Sequence, residues 1–475
     1  MKLTHSYASA LSSMVSPVKP AVLKQQQLRL VNRPLAAQLG LPEAWWTDNH
    51  ITTLLADESS ALCESAVAQK YGGHQFGQWN PFLGDGRGLL LAGAVDKEGK
   101  VTDLHLKGAG PTPYSRGADG RAVLRSTIRE YIGGEALHAL GIPSSRSLCL
   151  FSSAETVFRE QPEQGAMMIR TCPSHIRFGH FEYFFHSGEK DKLNALFDYT
   201  LATHFPECLD AANPHLALLT AITLRTARLI ALWQTHGFVH GVMNTDNMSV
   251  HGITFDYGPY AFMDGFKADA VFNHSDHQGR YAFDQQPGIG LWNLNVLAHC
   301  FSDHCSVDEI RSALQRYEPA FINQFGNAMC RRMGLDSASP SSMPVVNQWL
   351  NMLEQQQSDY TFSFRKLALT NLTDSRCPLR DDFVDRETFD NWWQNYRSLR
   401  FEQSTQPEDI RPFNPAVIPR THLLQQAIED AESGDFTTCE QLLEACTSPF
   451  DTRWDSHPFS TPPKQTRGGM LSCSS

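Results

Sequence analysis

The chain has 475 residues, enough for two or three domain-sized units sharing a core. A 41% hydrophobic and 10% aromatic composition fits a globular protein, and a net charge of −11 without a basic block or arm argues against sequence-independent nucleic-acid binding. No run reaches the ~18 uninterrupted apolar residues of a membrane span, the N-terminus lacks the compact apolar block of a signal peptide, and the eleven cysteines are scattered without paired spacing, as in a reducing cytoplasm.

Residues 1 to about 65 read as a helical N-terminal extension punctuated by Pro17, Pro20, Pro34 and Pro42. Strand signals dominate from about 70 to 172. Gly88 to Val95 (GLLLAGAV) is apolar throughout, Asp96 to Gly99 is a turn, and Val101 to Lys107 (VTDLHLK) alternates, predicting a hairpin with Lys107 on the face opposite Leu104 and Leu106. A helix is predicted from about Arg121 to Leu140, where Leu124, Ile128, Tyr131 and Leu137 recur at helical spacing and Gly133-Gly134 weakens it. Arg170 closes the strand GAMMIR, and the run from Pro214 predicts a long helix ending at Gly237.

Further helices fall between about 287 and 355, and a polar tail from about 400 holds one more, His422 to Ala431. His299-Cys300 and His304-Cys305 close a helix rather than forming a zinc site, since no second ligand pair has the spacing. The expected organisation is α+β: an extension (1–65), a strand-rich lobe (66–180), a helical lobe (181–310) and a helical C-terminal extension with a flexible tail (311–475). That lobe order is protein-kinase-like.

The chemistry concentrates in HGVMNTDNMSVHGITFDYG, His240 to Gly258. Kinase catalytic loops run H-x-D-x-x-x-x-N and reach a D-[FY]-G metal site shortly after. His240, Asn247 and Asp256-Tyr257-Gly258 keep this pattern, but Val242 stands where the catalytic aspartate belongs. Asn247 and Asp256 supply the oxygen donors that Mg²⁺ takes. Valine cannot accept a proton, so Asp246 is the nearest replacement base.

Gly84-Asp85-Gly86-Arg87-Gly88 could let backbone N–H groups approach phosphate, although a tight turn reads the same. Lys107 would grip phosphate, oriented by Glu130 on the following helix, with Glu135 a rival on the same helix. Arg170 and Arg177 could clamp a phosphate, or could equally be surface ion pairs. The linker Gly108 to Arg121 (GAGPTPYSRGADGR), with Ser115, Arg116, Asp119 and Arg121, suits a phosphate- or ribose-facing loop.

These stretches resemble the selenoprotein O family of pseudokinase-like protein nucleotidyltransferases. They are YGGHQFGQWNPFLGDGRG, LKGAGPTPYSRGADGRAVLRSTIREYIGGEAL, IRTCPSHIRFGHFEYF, HGFVHGVMNTDNMS, FDYGPYAFMD and FNHSDHQGRYAFDQQP. The resemblance implies a kinase-like fold holding ATP flipped, so that the α-phosphate faces the acceptor. It implies transfer of AMP to Ser, Thr or Tyr hydroxyls of proteins with release of pyrophosphate, and UMP transfer from UTP with Mn²⁺ as well. By motif, Gly84, Gly86 and Arg87 would lie on the nucleotide and Lys107 on its phosphates, with Glu130 steadying the lysine. Asp119 and Gly120 would line the pocket, and Arg170 and Arg177 would hold the terminal phosphates. Asn247 and Asp256 would bind Mg²⁺ or Mn²⁺, and Asp246 would accept the proton.

Family members with a C-terminal C-x-x-U arrangement differ here, because Cys473 matches the last position and Met470 the first, which excludes a local disulfide. Two other readings compete: a kinase-like phosphotransferase, which Val242 opposes, and an inactive ATP-binding scaffold, which the retained metal pair and lysine–glutamate pair oppose.

Overall fold

The computed structural model describes residues 2–373, 377–403, 409–463 and 471. Cys473 and Met470 lie outside them. The chain begins with β1 (Lys2–Thr4), α1 (Ser6–Ala10), β2 (Val15–Pro17), β3 (Gln27–Val31), α2 (Arg33–Gln38) and α3 (His50–Ala56). Next come β4 (Val67–Gln69), the small hairpin β5 (Gly73–Gln75) and β6 (Gln78–Asn80), β7 (Gly88–Val95), β8 (Val101–Lys107) and β9 (Ala122–Val123). Helix α4 (Leu124–Ala139) leads into β10 (Arg146–Phe158) and β11 (Pro162–Cys172).

One antiparallel sheet runs β2-β4-β7-β8-β11-β10-β3, with β1 added to β7 and β9 to β11. The N-terminal segment is therefore not a helical extension: β1, β2 and β3 are strands of the main sheet. Gln27–Val31 (QLRLV) pairs with β10, and a register shift between Leu150 and Phe151 sends Leu30 and Leu28 to different core clusters. The N-terminal segment's helices cover one face of the sheet, where Leu35, Trp45, Ile51 and Leu55 pack on Leu89, Leu104, Leu106 and Ile169. Alternation then turns Asp103, His105 and Lys107 to the other face, as the period-2 pattern predicts.

Helix α4 starts at Leu124 rather than Arg121 because Ala122 and Val123 pair with Ala166 and Gly165 of β11. Its Gly133 admits Tyr260, since a Cβ there would lie 2.4 Å from the Tyr260 hydroxyl. Gly133 gives up helix propensity for this close approach, and a Cβ on Gly134 would lie 3.0 Å from the Ser145 carbonyl.

Helices dominate the described residues that follow: α5 (Phe178–His186), α6 (Lys190–His204), α7 (Pro214–His236), α8 (Gln286–His299), α9 (Val307–Leu314) and α10 (Tyr317–Arg332). There follow α11 (Ser342–Gln356), α12 (Tyr360–Ala368), α13 (Arg386–Glu402), α14 (Thr421–Glu432) and α15 (Thr437–Thr447). α7 is apolar and long enough to cross a membrane by composition, but it packs among α6, α8, α9 and α10. It ends where expected, at Gly237 with φ +66°. α8 closes at His299 with Cys300 as its C-cap.

The described part of the tail holds two α-helices, α14 and α15, instead of one. Leu424, Ile428, Leu442 and Ala445 of α14 and α15 share a core with Ile128, Tyr131 and Ile132 of α4. The described part of the tail thus buttresses the helix that carries Glu130.

Candidate active site

A cavity of about 640 Å³ opens between the polar face of the sheet, the Gly84–Gly88 loop, the 110–120 linker and the 240–259 loop. Lys107 ends β8 on this face and pairs with Glu130 of α4. Arg170 of β11, in register with His105, donates to the other Glu130 oxygen at 3.0 Å. Burial alone would push the Glu130 carboxyl up, but Lys107 and Arg170 outweigh it and hold it below the usual range. Burial pulls the Lys107 ammonium down, with Glu130 opposing. Glu135 faces elsewhere, gripping Arg146 at 2.7 and 2.9 Å and accepting from the Ser147 N–H. Helical phase decides between the two glutamates.

The 240–259 loop is shaped by β12 (Phe238–Val239) and β13 (Ala261–Phe262), which pair and bring its ends together. His240 is buried, and burial lowers its pKa. Its Nδ1 accepts from the Val242 N–H (3.3 Å), which leaves Nε2 to donate to the Phe255 carbonyl (3.1 Å). Val242, Asn247 and Asp256 all line the cavity. Asp256 stands at φ +61°, a left-handed conformation that is rare for a non-glycine residue and found at functional sites.

Asp256 joins the arginines. Arg170 takes one carboxylate oxygen and Arg177 the other. Burial opposes its charge, yet Arg170 and Arg177 hold its carboxyl well below the usual range. Arg177, the N-cap residue of α5, is itself buried between the rings of Tyr71 (4.8 Å) and Phe255 (4.6 Å). The arginines are therefore buried members of the site and not surface ion pairs.

Asp246 follows Thr245 in a single 3-10 turn and lines the same cavity. Its Oδ1 is buried without a hydrogen-bond partner among the described residues. Burial pushes its carboxyl up to about 7, with Arg177 opposing and Asp256 adding. Gly73 packs against it, and a Cβ there would lie 2.8 Å from Oδ1.

Gly84 and Gly86 serve packing as well as access, since Cβ atoms there would lie 2.6 Å from the Tyr114 ring and 2.9 Å from the Tyr114 carbonyl. Arg87 lines the cavity beside them. Asp119 also lines it, but its carboxylate is gripped by Arg159 at 2.8 and 3.0 Å. Gly120 (φ +65°) admits only glycine, as a Cβ would fall 2.0 Å from the Gly110 carbonyl.

Sequence reasoning missed three members. Asp85 accepts from the Gln69 N–H (3.0 Å) and lies 3.4 Å from His105 Nε2, so both shape the Gly-rich loop from beneath. Arg159 reaches in from the turn joining β10 and β11. The alternation of Asp103, His105 and Lys107 pointed to His105; nothing local marked Arg159.

The donor set for a metal fits a hard divalent cation. Asp256 offers a carboxylate, and Asn247 has its amide nitrogen tied to the Val242 carbonyl at 3.0 Å, which leaves its amide oxygen as the donor. No group of three or more His, Cys, Asp or Glu placed to hold a metal ion occurs among the described residues, so such an ion would complete its shell with phosphate oxygens and water.

A lysine–glutamate pair, buried arginines and two carboxylate residues lining one cavity form the kind of charged cleft that suits an anionic ligand in a group-transfer enzyme. Comparison with known proteins makes this specific: the chain belongs to the protein adenylyltransferase SelO family, whose model matches residues 1–447. It is 50% identical over 480 residues to the protein nucleotidyltransferase YdiU of Pseudoalteromonas atlantica, covering 100% of both chains. It is 43% identical to the proteins of the same name from Erwinia tasmaniensis (455 residues, 95% of each chain) and Klebsiella pneumoniae (479 residues, 100% of each).

Proposed function

We propose that the chain transfers AMP from ATP to Ser, Thr or Tyr hydroxyls of proteins, on a kinase-like two-lobed frame with the nucleotide flipped. The observation that carries this reading is the pairing of Val242 with Asp246 in one cavity. The position where phosphotransferases keep their aspartate is apolar, while a different acidic residue, whose buried Oδ1 has no hydrogen-bond partner among the described residues, lines the same cavity.

Arg87, Lys107, Arg170 and Arg177 neutralise the triphosphate, and Glu130 keeps Lys107 aimed at it. Gly84, Gly86, Asp119 and Gly120 line the nucleotide. The acceptor hydroxyl attacks the α-phosphorus, and the bond from that phosphorus to the oxygen bridging to the β-phosphate breaks. Pyrophosphate leaves with that oxygen, and Asp246 takes the hydroxyl proton. Asn247 and Asp256 would hold Mg²⁺ or Mn²⁺, which supplies charge neutralisation on the phosphates. The same site would accept UTP for UMP transfer. The ten described cysteines are all free thiols, which suits the reducing cytoplasm.

Incubation with ATP labelled at the α- or γ-phosphate tests the reading. Label on protein from α-labelled ATP alone is expected. Label from the γ-position would make the chain a phosphotransferase, and tight ATP binding without label would make it a scaffold.

A further inference from the structure

The linker between β8 and β9 forms a flap over the cavity, and both of its feet are fastened. At one foot, Thr112 Oγ1 donates to the Asp85 carbonyl at 2.7 Å and the Ser115 hydroxyl to the Gly86 carbonyl. At the other, Asp119 is held bidentately by Arg159, and the Gly110 N–H donates to the Gly120 carbonyl at 3.1 Å. Between the feet, Ser115 to Ala118 is a tight turn closed by the Ala118 N–H on the Ser115 carbonyl at 2.9 Å. Its central residues are Arg116 at φ +53° and Gly117 at φ +81°. This is the type I′ pattern, in which asparagine and glycine are at ease and a long side chain is strained.

Arg116 is exposed, lines the cavity, and makes no hydrogen bond or ion pair among the described residues. The neighbouring cations behave differently. Lys107, Arg121, Arg159, Arg170 and Arg177 each hold a carboxylate. A strained backbone that presents an unpaired guanidinium to a cation-lined cleft has the form of a ligand clamp.

We propose that Arg116 is a further nucleotide-binding residue, closing the mouth of the cleft by pairing with an anionic phosphate oxygen of the bound nucleotide. This rests on the nucleotide reading of the site. Because the flap is braced at both feet, the guanidinium is delivered by a fixed turn rather than by a loop that must order on binding, which lowers the entropic cost of the contact.

Calorimetric titration of ATP, ADP and adenosine into the full chain and into Arg116→Ala and Arg116→Asn variants tests this. Loss of a charge-assisted contact should weaken ATP binding about tenfold in both variants, weaken ADP binding, and leave adenosine unchanged. Asparagine suits the turn, so Arg116→Asn should melt no lower than the native chain while losing affinity. A merely structural arginine would lower Tm and leave affinity in place. Native ATP affinity in both variants would overturn the assignment. So would unchanged ATP affinity with weakened transfer to protein, which would give Arg116 to the acceptor. A native chain that binds no ATP would instead remove the nucleotide reading itself, and this inference with it.

Discussion

Arg177 donates from Nη1 to the backbone carbonyl of Asp246 at 2.8 Å while the same nitrogen holds the Asp256 carboxylate. The proposed base and the proposed metal ligand are thus tied through one guanidinium, itself clamped between Tyr71 and Phe255. Asp246 is held through its backbone carbonyl and lines the cavity. Asp256 is fixed by its side chain.

Asp246→Asn separates these roles. Removing a general base is expected to lower transfer by about 10²–10⁴-fold, while ATP affinity in calorimetry stays within about twofold. The buried carboxylate carries a desolvation penalty that the amide does not, so the variant should also melt slightly higher at pH 8. A collapse of ATP affinity would move Asp246 into the metal site.

Asp256→Ala leaves the buried Arg177 without a carboxylate and Arg170 with Glu130 alone. Breaking a buried ion pair by removing one partner costs about 3–5 kcal/mol, so Tm should drop by several degrees in a thermal melt. Transfer should vanish, and added Mg²⁺ or Mn²⁺ should no longer raise ATP affinity. Metal-responsive ATP binding in this variant would take Asp256 out of the ligand set.

The two glutamates of α4 should behave differently. Glu130→Gln removes the carboxylate shared by Lys107 and Arg170 and should weaken ATP binding at least about tenfold. Glu135→Gln loosens Arg146 and Ser147 on the far side of the helix. It should lower Tm and leave ATP affinity within about twofold, as isothermal titration would show.

Asp103 gives a pH signature away from the proposed metal ligands. Burial pushes its carboxyl up to about 7, the His175 N–H bond opposing and Asp85 adding. An unfolded aspartate titrates near about 3.9. Between these values the folded chain keeps a proton that the unfolded chain has released, so this group makes stability fall as pH rises from about 4 to about 7, with no further loss above. Asp103→Asn should therefore gain Tm over the native chain at pH 8 and lose that advantage near pH 4.

Gly133→Ala sets helix propensity against packing. Alanine favours the helix by about 1 kcal/mol, but its Cβ would meet the Tyr260 hydroxyl at 2.4 Å. That hydroxyl donates to the Arg129 carbonyl at 2.7 Å, and Arg129 returns a bond to the Tyr260 carbonyl at 2.6 Å, so Tyr260 cannot give way cheaply. Overpacking should win, with lower Tm and weaker ATP binding as α4 shifts Glu130.

Much of the site was legible because its parts are local. Period-2 alternation put Lys107 opposite Leu104 and Leu106, and the offsets within His240–Gly258 marked Asn247 and Asp256 and exposed Val242 as the departure. The N-terminal strands and the second tail helix were not legible. Short segments such as Val15–Pro17 become strands only when an edge is available to pair with, and Thr437–Thr447 matters only because α4 offers it an apolar face.

By itself the sequence determined which residue types are available for the chemistry and on which faces of their own strands or helices they sit, since both follow from the backbone periods. Tertiary structure decided which of them share partners. Arg170 and Arg177 converged on Asp256 from two elements, and Arg159 found Asp119 across the flap. Those pairings depend on strand register and on burial, which makes an unpaired charge costly and so forces each buried ion to find its counterpart.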